Sequence, residues 1–250
     1  MKNSIAKKVY FSLGILFIFV LWIVGKAIID NNYVVPSILD TIKALGDLFT
    51  KAHTYKVLGY TLLRLFLSIS VCFLVGVLLA ILSYNFNWVK HFLKPIITLF
   101  KTLPIAVVII LILIILNKEL APYYIVGVVV LPVVYEAVLI GLENINTDVL
   151  DEVKLSSGIT PLVVVKVHLP IIFPSILTAI IQSVGLGLKV LVMAEYISQP
   201  KYSIGNEFVF YKDIALKMEY LYAWSIILIV FVLIVELVIS CISRRKDLVK

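Results

Sequence analysis

Long apolar runs separated by short polar segments dominate the pattern of this chain. A helix needs about 20 mostly apolar residues to cross a bilayer, and runs of about this length cover residues 9–29, 57–83, 92–116, 123–142, 173–197 and 220–242. In lipid, a segment must satisfy its own backbone polar groups, and runs this long do so as helices. The pattern therefore predicts an all-α membrane protein with about six transmembrane helices.

The first apolar run follows Lys2, Lys7 and Lys8, an arrangement that secretory signal peptides share. The run is longer than the apolar core of a typical signal peptide, and no A-x-A cleavage site follows it. We therefore interpret residues 9–29 as a retained membrane helix.

A more polar helix is predicted between the first and second runs. Within residues 30–56, apolar side chains recur at helical spacing from Ile38 to Ala52. Ser37 precedes them at the N-cap position, with Asp40 three residues further on. Because this segment is too charged to span, we expect an amphipathic helix along the outer interface of the membrane.

The composition agrees with a membrane protein. Hydrophobic residues make up 62% of the chain, against about 45–50% in soluble domains, and the mean hydropathy is +1.11. No hydrophilic block is long enough for a second soluble domain, so residues 1–250 are interpreted as one transmembrane domain with its core at residues 57–242. The net charge of +7 arises largely beside the membrane spans and does not indicate nucleic acid as a partner.

The sequence contains few residues suited to covalent or metal chemistry. Cys72 and Cys241 both lie in apolar runs, so neither a disulfide framework nor a metal site is expected. His53, His91 and His168 fall in three separate polar segments. There is no phosphate-binding loop of the G-x-x-x-x-G-K-[ST] type. We therefore expect no cofactor and no catalytic site, and ATP, if it drives this protein, would be bound by another chain.

Positive residues in the loops indicate the orientation in the membrane. With both termini inside, the inner segments hold eleven Lys and Arg residues and the outer segments hold seven. This bias predicts cytoplasmic termini and places the polar segment 143–172 on the cytoplasmic side.

One long polar interruption, from Gly141 to Pro174, divides the apolar runs. Thr147 or Asp148 can cap a short helix whose first turn is acidic, as the helix dipole favours. Gly158 can end that helix, and Thr160-Pro161 reads as the start of a second one. The pattern predicts a helix-turn-helix elbow.

This elbow resembles the cytoplasmic loop of the permease subunits of bacterial ATP-binding-cassette (ABC) importers. The family pattern is E-A-A, three residues, G and later I-x-L-P; the matching positions here are Glu152, Gly158 and Val167-His168-Leu169-Pro170, with Val153 and Lys154 in place of the alanines. The resemblance implies a coupling helix within residues 143–172 that docks into a separate ATPase, through Asp151, Glu152, Gly158, Leu169 and Pro170. The alternative is an amphipathic loop that only shields helix ends.

Two further segments resemble nitrate/sulfonate/taurine-type permeases. Thr61-Leu62-Leu63-Arg64 is similar to their T-L-x-R, and Lys101-Thr102-Leu103-Pro104 to their R-x-I-P. The resemblance implies the type I ABC importer permease fold in the bacterial cytoplasmic membrane, with a second permease copy, two ATPase subunits and an extracytoplasmic solute-binding protein. Arg64 itself has two interpretations, since it can snorkel to the interface or contact the substrate.

Polar and ionisable residues inside apolar runs are the candidates for a translocation pathway, because they are unfavourable in lipid. These candidates are Lys101, Pro104, Glu136, Gln182, Lys189 and Glu195. Pro104 frees a backbone carbonyl that only protein or water could satisfy. For Lys189, near the middle of its run, the alternative is a structural ion pair with Glu136 across helices.

The cationic candidates favour an anionic solute such as a sulfonate or nitrate. Glu136 keeps a pyrimidine-type vitamin precursor open as a second substrate class. The rival functions are a self-contained channel or secondary transporter and, less well supported, a membrane enzyme. A secondary transporter commonly carries an inverted repeat, and none is evident in the sequence.

Overall fold

A computed structural model describes residues 2–145 and 171–247, and all regular structure in these ranges is helical. The α-helices are α1 Lys2–Ile29, α2 Ile38–Thr50, α3 Ala52–Asn85, α4 Asn87–Thr102, α5 Ile105–Ile115, α6 Ala121–Glu143, α7 Phe173–Ser198, α8 Ile204–Val209 and α9 Met218–Asp247. A π-helical turn, Phe210–Ile214, follows α8 directly.

Five of these helices are long and apolar enough to cross a membrane, and a sixth span results if α4 and α5 are counted as one. The prediction of about six spans is thereby confirmed, and the span predicted over residues 92–116 is broken into two helices. The chain bends by 102° between α4 and α5. Pro104 has no N–H to continue α4 and disfavours helical geometry at the residue before it, and Leu103 is accordingly extended.

The described chain divides into two compact units, which are treated separately here. The first comprises residues up to Lys56 together with Glu207–Ile229. In it, the Ser37 Oγ accepts the Asp40 backbone N–H at 3.1 Å, which confirms the predicted cap of α2. The buried residues of α2 are Thr41, Ala44 and Leu48. The apolar side chains that marked the helix in the sequence, such as Ile42 and Phe49, are exposed. The interfacial position of α2 stays a prediction.

Aromatic residues organise the rest of the first unit. The rings of Tyr211 and Tyr220 stack with centroids 4.6 Å apart, and the Tyr220 hydroxyl donates to the Asp47 carboxylate at 2.6 Å. Lys51 donates to the same carboxylate, and these two donors hold the pKa of Asp47 below its usual value. Burial, with nearby Glu207 and Asp47, raises the pKa of Tyr211 to about 12.

The second unit, formed by described residues of Val57–Asn206 and from Val230 onward, is built around α6. More than half of α6 is buried, and it packs more extensively against α7 than against α4 or α5. A Cβ at Gly76 would lie 2.9 Å from Val134, so the glycine lets α3 approach α6 closely.

Two glycine contacts fix how α6 and α7 align. A Cβ at Gly141 would lie 2.7 Å from the Ser175 hydroxyl, and one at Gly187 would lie 3.4 Å from Val130. The helices are therefore antiparallel, and residue 136 of α6 is level with about residue 180 of α7. With a rise of 1.5 Å per residue, Glu136 and Lys189 differ in height by about 13 Å.

Candidate translocation site

The predicted coupling residues lie outside the described residues, in the gap between Ile145 and Ile171. They are Asp151, Glu152, Gly158, Leu169 and Pro170. Their docking role stays a prediction.

Glu136 forms an ion pair with Lys101, not with Lys189. The Lys101 Nζ lies 3.0 and 2.7 Å from the two carboxylate oxygens of Glu136. The proposed pair with Lys189 is wrong for a geometric reason, because the alignment of α6 and α7 places Glu136 and Lys189 at different heights. Lys101 belongs to the last turn of α4, where the helix dipole favours a cation.

The ion pair stands beside the break between α4 and α5. Its two side chains are 49% and 37% exposed in this chain. Pro104 begins α5 directly after the break and is itself exposed. A charged pair that is more than a third exposed, at the kink of an apolar segment, can rearrange without unpacking the core.

The exposed face of α7 carries a line of polar residues, Thr178, Gln182 and Lys189. Their spacing of four and seven residues puts them on one side of a helix. Gly185 lies between Gln182 and Lys189, and a Cβ added there would meet no atom within 4 Å. We call these four residues the α7 polar stripe. The other side of α7 is buried and includes Leu177, Leu188, Leu191 and Ala194.

Lys189 is exposed and forms no ion pair with any described residue. Gly187, two residues before it, is buried against Val130 and the side chain of Leu65. The Gly-x-Gly segment thus has one glycine for close packing and one glycine, Gly185, that leaves open space.

The most enclosed charges belong to a cluster between α3, α7 and the segment after α7. Arg64 is 4% exposed and Glu195 is fully buried, with the Arg64 Nη1 3.1 Å from the Glu195 Oε1. The guanidinium also donates to the main-chain carbonyls of Lys201, at 2.9 Å, and Tyr202, at 3.0 Å. The Thr61 hydroxyl lies 3.1 Å from both oxygens of Glu195. We call Thr61, Arg64 and Glu195 the buried cluster.

The buried cluster corrects one interpretation of Arg64. The side chain does not snorkel to the surface, because protein groups surround and accept from its guanidinium. Glu195, a pathway candidate from the sequence, is enclosed in the same cluster, so it would reach a solute only if the cluster opened. Sequence analysis missed the pair because its members are 131 residues apart. One available signal was that both lie near the predicted outer ends of their runs.

Gly205 explains the tight approach of α8 to the buried cluster. A Cβ there would fall against the backbone of Glu195 and Tyr196. The Thr61 hydroxyl also accepts the Ile204 N–H at 3.1 Å. The start of α8 is therefore held on α7 and α3 at a position where only glycine fits.

The described residues form five or six candidate membrane spans, one of which carries polar groups on an exposed face, as a membrane transport protein would. The chain belongs to the family of binding-protein-dependent transport system inner membrane components, whose profile matches residues 73–248. This membership supports the resemblance to ABC importer permeases that the elbow and the two shorter motifs carry.

Individual relatives agree with this assignment. The chain is 25% identical over 148 residues to the glycine betaine transport system permease protein OpuAB of Bacillus subtilis (strain 168), covering 59% of this chain and 52% of that protein. The chain thus spans about half the length of this relative.

Solved structures show the same fold at low identity. A chain of the inward-facing MetNI methionine ABC transporter has a TM-score of 0.63 and 19% identity, covering 76% of this chain and 93% of that chain. A chain of a bacterial ABC transporter involved in the import of the acidic polysaccharide alginate has a TM-score of 0.67 and 18% identity, covering 95% of both. These likenesses confirm the predicted type I importer permease fold.

Proposed function

We propose that this permease moves a small solute with an anionic group across the bacterial cytoplasmic membrane by alternating access. In this proposal residues 1–250 act as one translocation domain with its core at residues 57–242. The chain performs no covalent chemistry, and a separate ATPase supplies the energy. The observation that carries the proposal is the α7 polar stripe with its exposed lysine.

Energetics favour a pathway role for the stripe. Lys189 lies well inside an apolar helix of 26 residues, where a lysine facing lipid is disfavoured by about 2.5–3.5 kcal/mol on insertion scales. The stripe faces away from the buried side of α7, so protein from a second copy or an aqueous cavity must cover it. A pathway between two copies would both keep Lys189 away from lipid and cover the exposed stripe.

We place the remaining pathway candidates along the same pathway as the α7 polar stripe. Gln182 belongs to the stripe, and the pair of Lys101 and Glu136 is level with the part of α7 near residue 180. Pro104 provides the break that brings this pair to a bend. Glu195 lies on the buried side of α7, as part of the buried cluster.

Charge favours an anionic group on the solute. The carboxylate of Glu136 is already neutralised by Lys101, so it does not offset the charge of Lys189. This weakens the case for a pyrimidine-type vitamin precursor, which rested on Glu136. The solutes in the names of the relatives, glycine betaine, methionine and the acidic polysaccharide alginate, all carry carboxylates. A sulfonate such as taurine or a nitrate ion offers similar charge.

We infer as partners a second copy of the permease, two ATPase subunits and an extracytoplasmic solute-binding protein. Family membership supports the ATPase and the binding protein. The coupling residues would contact the ATPase from the cytoplasmic side, and both termini would be cytoplasmic. A self-contained channel or secondary transporter would instead transport without an ATPase.

Replacement of Lys189 tests the proposal. Lys189→Met keeps the side-chain length and removes the charge, and Lys189→Arg keeps the charge. Loss of a charge-assisted hydrogen bond predicts a fall in uptake of about tenfold or more for Lys189→Met, with most activity kept in Lys189→Arg. Uptake of radiolabelled taurine, nitrate, glycine betaine and methionine would be measured in cells carrying the whole transport system.

Lys118→Met is the matched control, because Lys118 is an exposed lysine in the short connection before α6. Membrane levels of all variants would be compared by immunoblot. Full ATP-dependent uptake by Lys189→Met at normal membrane levels would remove the stripe from the pathway. Uptake that persists without an ATPase would instead favour the channel or secondary transporter.

A further inference from the structure

We propose that Glu119 is a positioning residue that clasps the connection between α7 and α8 shut, and that this clasp releases when that end of the pathway opens. Glu119 lies in the connection between α5 and α6. The connection it holds comprises residues 199–203. The role in transport rests on the proposed function, whereas the clasp itself rests on the contacts described next.

The carboxylate of Glu119 bridges two groups of the second unit. Its Oε1 accepts the backbone N–H of Lys201 at 2.9 Å. Its Oε2 lies 3.5 Å from the Nη2 of Arg64, a long contact compared with the other bonds of that guanidinium. Glu119 is thus the point where the α5–α6 connection, the α7–α8 connection and the buried cluster meet.

Glu119 is itself held in place locally. The side chain of Asn117 accepts the backbone N–H groups of Glu119, at 3.1 Å, and Leu120, at 3.0 Å. This turn orients the carboxylate, and the side chain is 46% exposed. A half-exposed carboxylate can exchange its protein partners for water at little penalty.

The other contacts in this region differ in burial. Thr61 and Glu195 are fully enclosed, and Arg64 is nearly so. Breaking these inner bonds would expose charges to an apolar interior, which is strongly unfavourable. Movement of the region is therefore easiest at the Glu119 contacts, while the buried cluster stays intact.

The connection is also under backbone strain. Gln199 and Tyr202 both adopt left-handed conformations, with φ of 50° and 51°. Such conformations are unfavourable for residues with a Cβ and persist where surrounding contacts hold them. The Lys201 N–H between these two residues donates to Glu119, so release of Glu119 removes one of the contacts that maintain the strained shape.

This arrangement suits a gate element. The two connections joined by Glu119 lie at one end of the bundle, which the charge bias of the loops assigns to the outer side. When a pathway opens at that end, these connections must separate. The equilibrium between closed and open forms would then depend on the Glu119 contacts, since any contact made only in the closed form favours that form.

The test uses the accessibility of residue 203, because the Ser203 side chain is fully buried within the same connection. In a Ser203→Cys protein the side chain keeps its size, and the Lys201 N–H that donates to Glu119 is retained. The rate of reaction with a membrane-impermeant maleimide would be measured in intact cells, with and without Glu119→Ala. Loss of one hydrogen bond predicts a rate about three- to tenfold higher in Glu119→Ala. Glu119→Gln, which keeps an acceptor for the Lys201 N–H but loses the charge, should give a smaller increase.

Three controls separate a clasp from general loosening. A cysteine at Asp30, an exposed position of the first unit, should react at the same rate in both backgrounds. The protein without an introduced cysteine gives the background from the native thiols. The unfolding temperature of the purified Glu119→Ala protein should fall by only a few degrees, as expected for the loss of one hydrogen bond.

The outcomes are distinguishable from failure of the proposed function. An unchanged rate at residue 203 would overturn the clasp, and so would an equal increase at residue 30 or a fall in unfolding temperature larger than one hydrogen bond explains. A higher rate at residue 203 with unchanged uptake would overturn its role in gating. If the unmodified protein shows no ATP-dependent uptake, the proposed function fails, and the labelling rates still decide whether Glu119 holds the connection.

Discussion

Two ion pairs of the second unit show how burial divides structural charge from mobile charge. Arg64 and Glu195 are 4% and 0% exposed, while Lys101 and Glu136 are 49% and 37% exposed. The first pair is surrounded by further donors and acceptors, including Thr61 and two main-chain carbonyls. The second pair stands at a helix break. Similar chemical groups at similar distances thus serve packing in one place and remain available for rearrangement in the other.

The difference follows from the energetics of charge in an apolar environment. An enclosed ion pair is tolerated only when its hydrogen-bonding capacity is filled, and loss of one member leaves an uncompensated charge. Separation of a half-exposed ion pair changes the free energy little, because water replaces each partner. Residues of the buried cluster should therefore control folding, and Lys101 with Glu136 should control transport.

The largest effect is expected in the buried cluster. Arg64→Met leaves the Glu195 carboxylate enclosed without its cation, which predicts a loss of about 3–5 kcal/mol in stability. Thermal unfolding of the purified protein and its yield in the membrane would measure this loss. The double variant with Glu195→Gln removes both charges and should recover a large part of it. An Arg64→Met protein as stable as its parent would show that the cluster is not structural.

A second large effect is expected at Gly205, where α8 begins against α7. In Gly205→Ala the added methyl group falls against the backbone of Glu195 and Tyr196, so α8 must shift away from the buried cluster. Overpacking of this kind typically costs about 1–3 kcal/mol, and displacement of α8 would add the loss of the Thr61 contact.

Gly185→Ala is the matched control for Gly205→Ala, since its added methyl group meets open space. This variant should unfold at the parental temperature, and any effect should be confined to uptake. Equal thermal stability of the two alanine variants would contradict the packing argument for Gly205.

The fold was largely predictable from the sequence, because an apolar run long enough to cross a membrane satisfies its own backbone polar groups as a helix. The cap of α2 by Ser37 was also predictable from the local pattern. The break at Leu103-Pro104 was not recognised as a bend of 102°, since a proline within an apolar run is compatible with both a kinked span and two helices.

The candidate site was less predictable, because pairing depends on how helices align. The sequence identifies Lys101, Glu136, Lys189 and Glu195 as charges within runs but does not say which ones meet. The alignment of α6 and α7 is set by close approach at Gly141 and Gly187, and these contacts separate Glu136 from Lys189. Similarly, the partner of Glu195 lies on α3, and only the packed structure brings Arg64 to it.

The smallest effect on stability is expected for the exposed pair. A double-mutant cycle with Lys101→Met, Glu136→Gln and the combined variant isolates the interaction between the two side chains. Because both are more than a third exposed, the coupling in thermal or denaturant unfolding should stay below about 1 kcal/mol. Lys101→Met additionally loses a favourable cation at the end of α4, worth about 0.3–1 kcal/mol. Uptake should respond more strongly than stability, since the pair lies beside the break and level with the α7 polar stripe. A coupling as large as that of Arg64 and Glu195 would mean that the pair is enclosed in the assembled transporter, and the division between structural and mobile charge would then fail at this position.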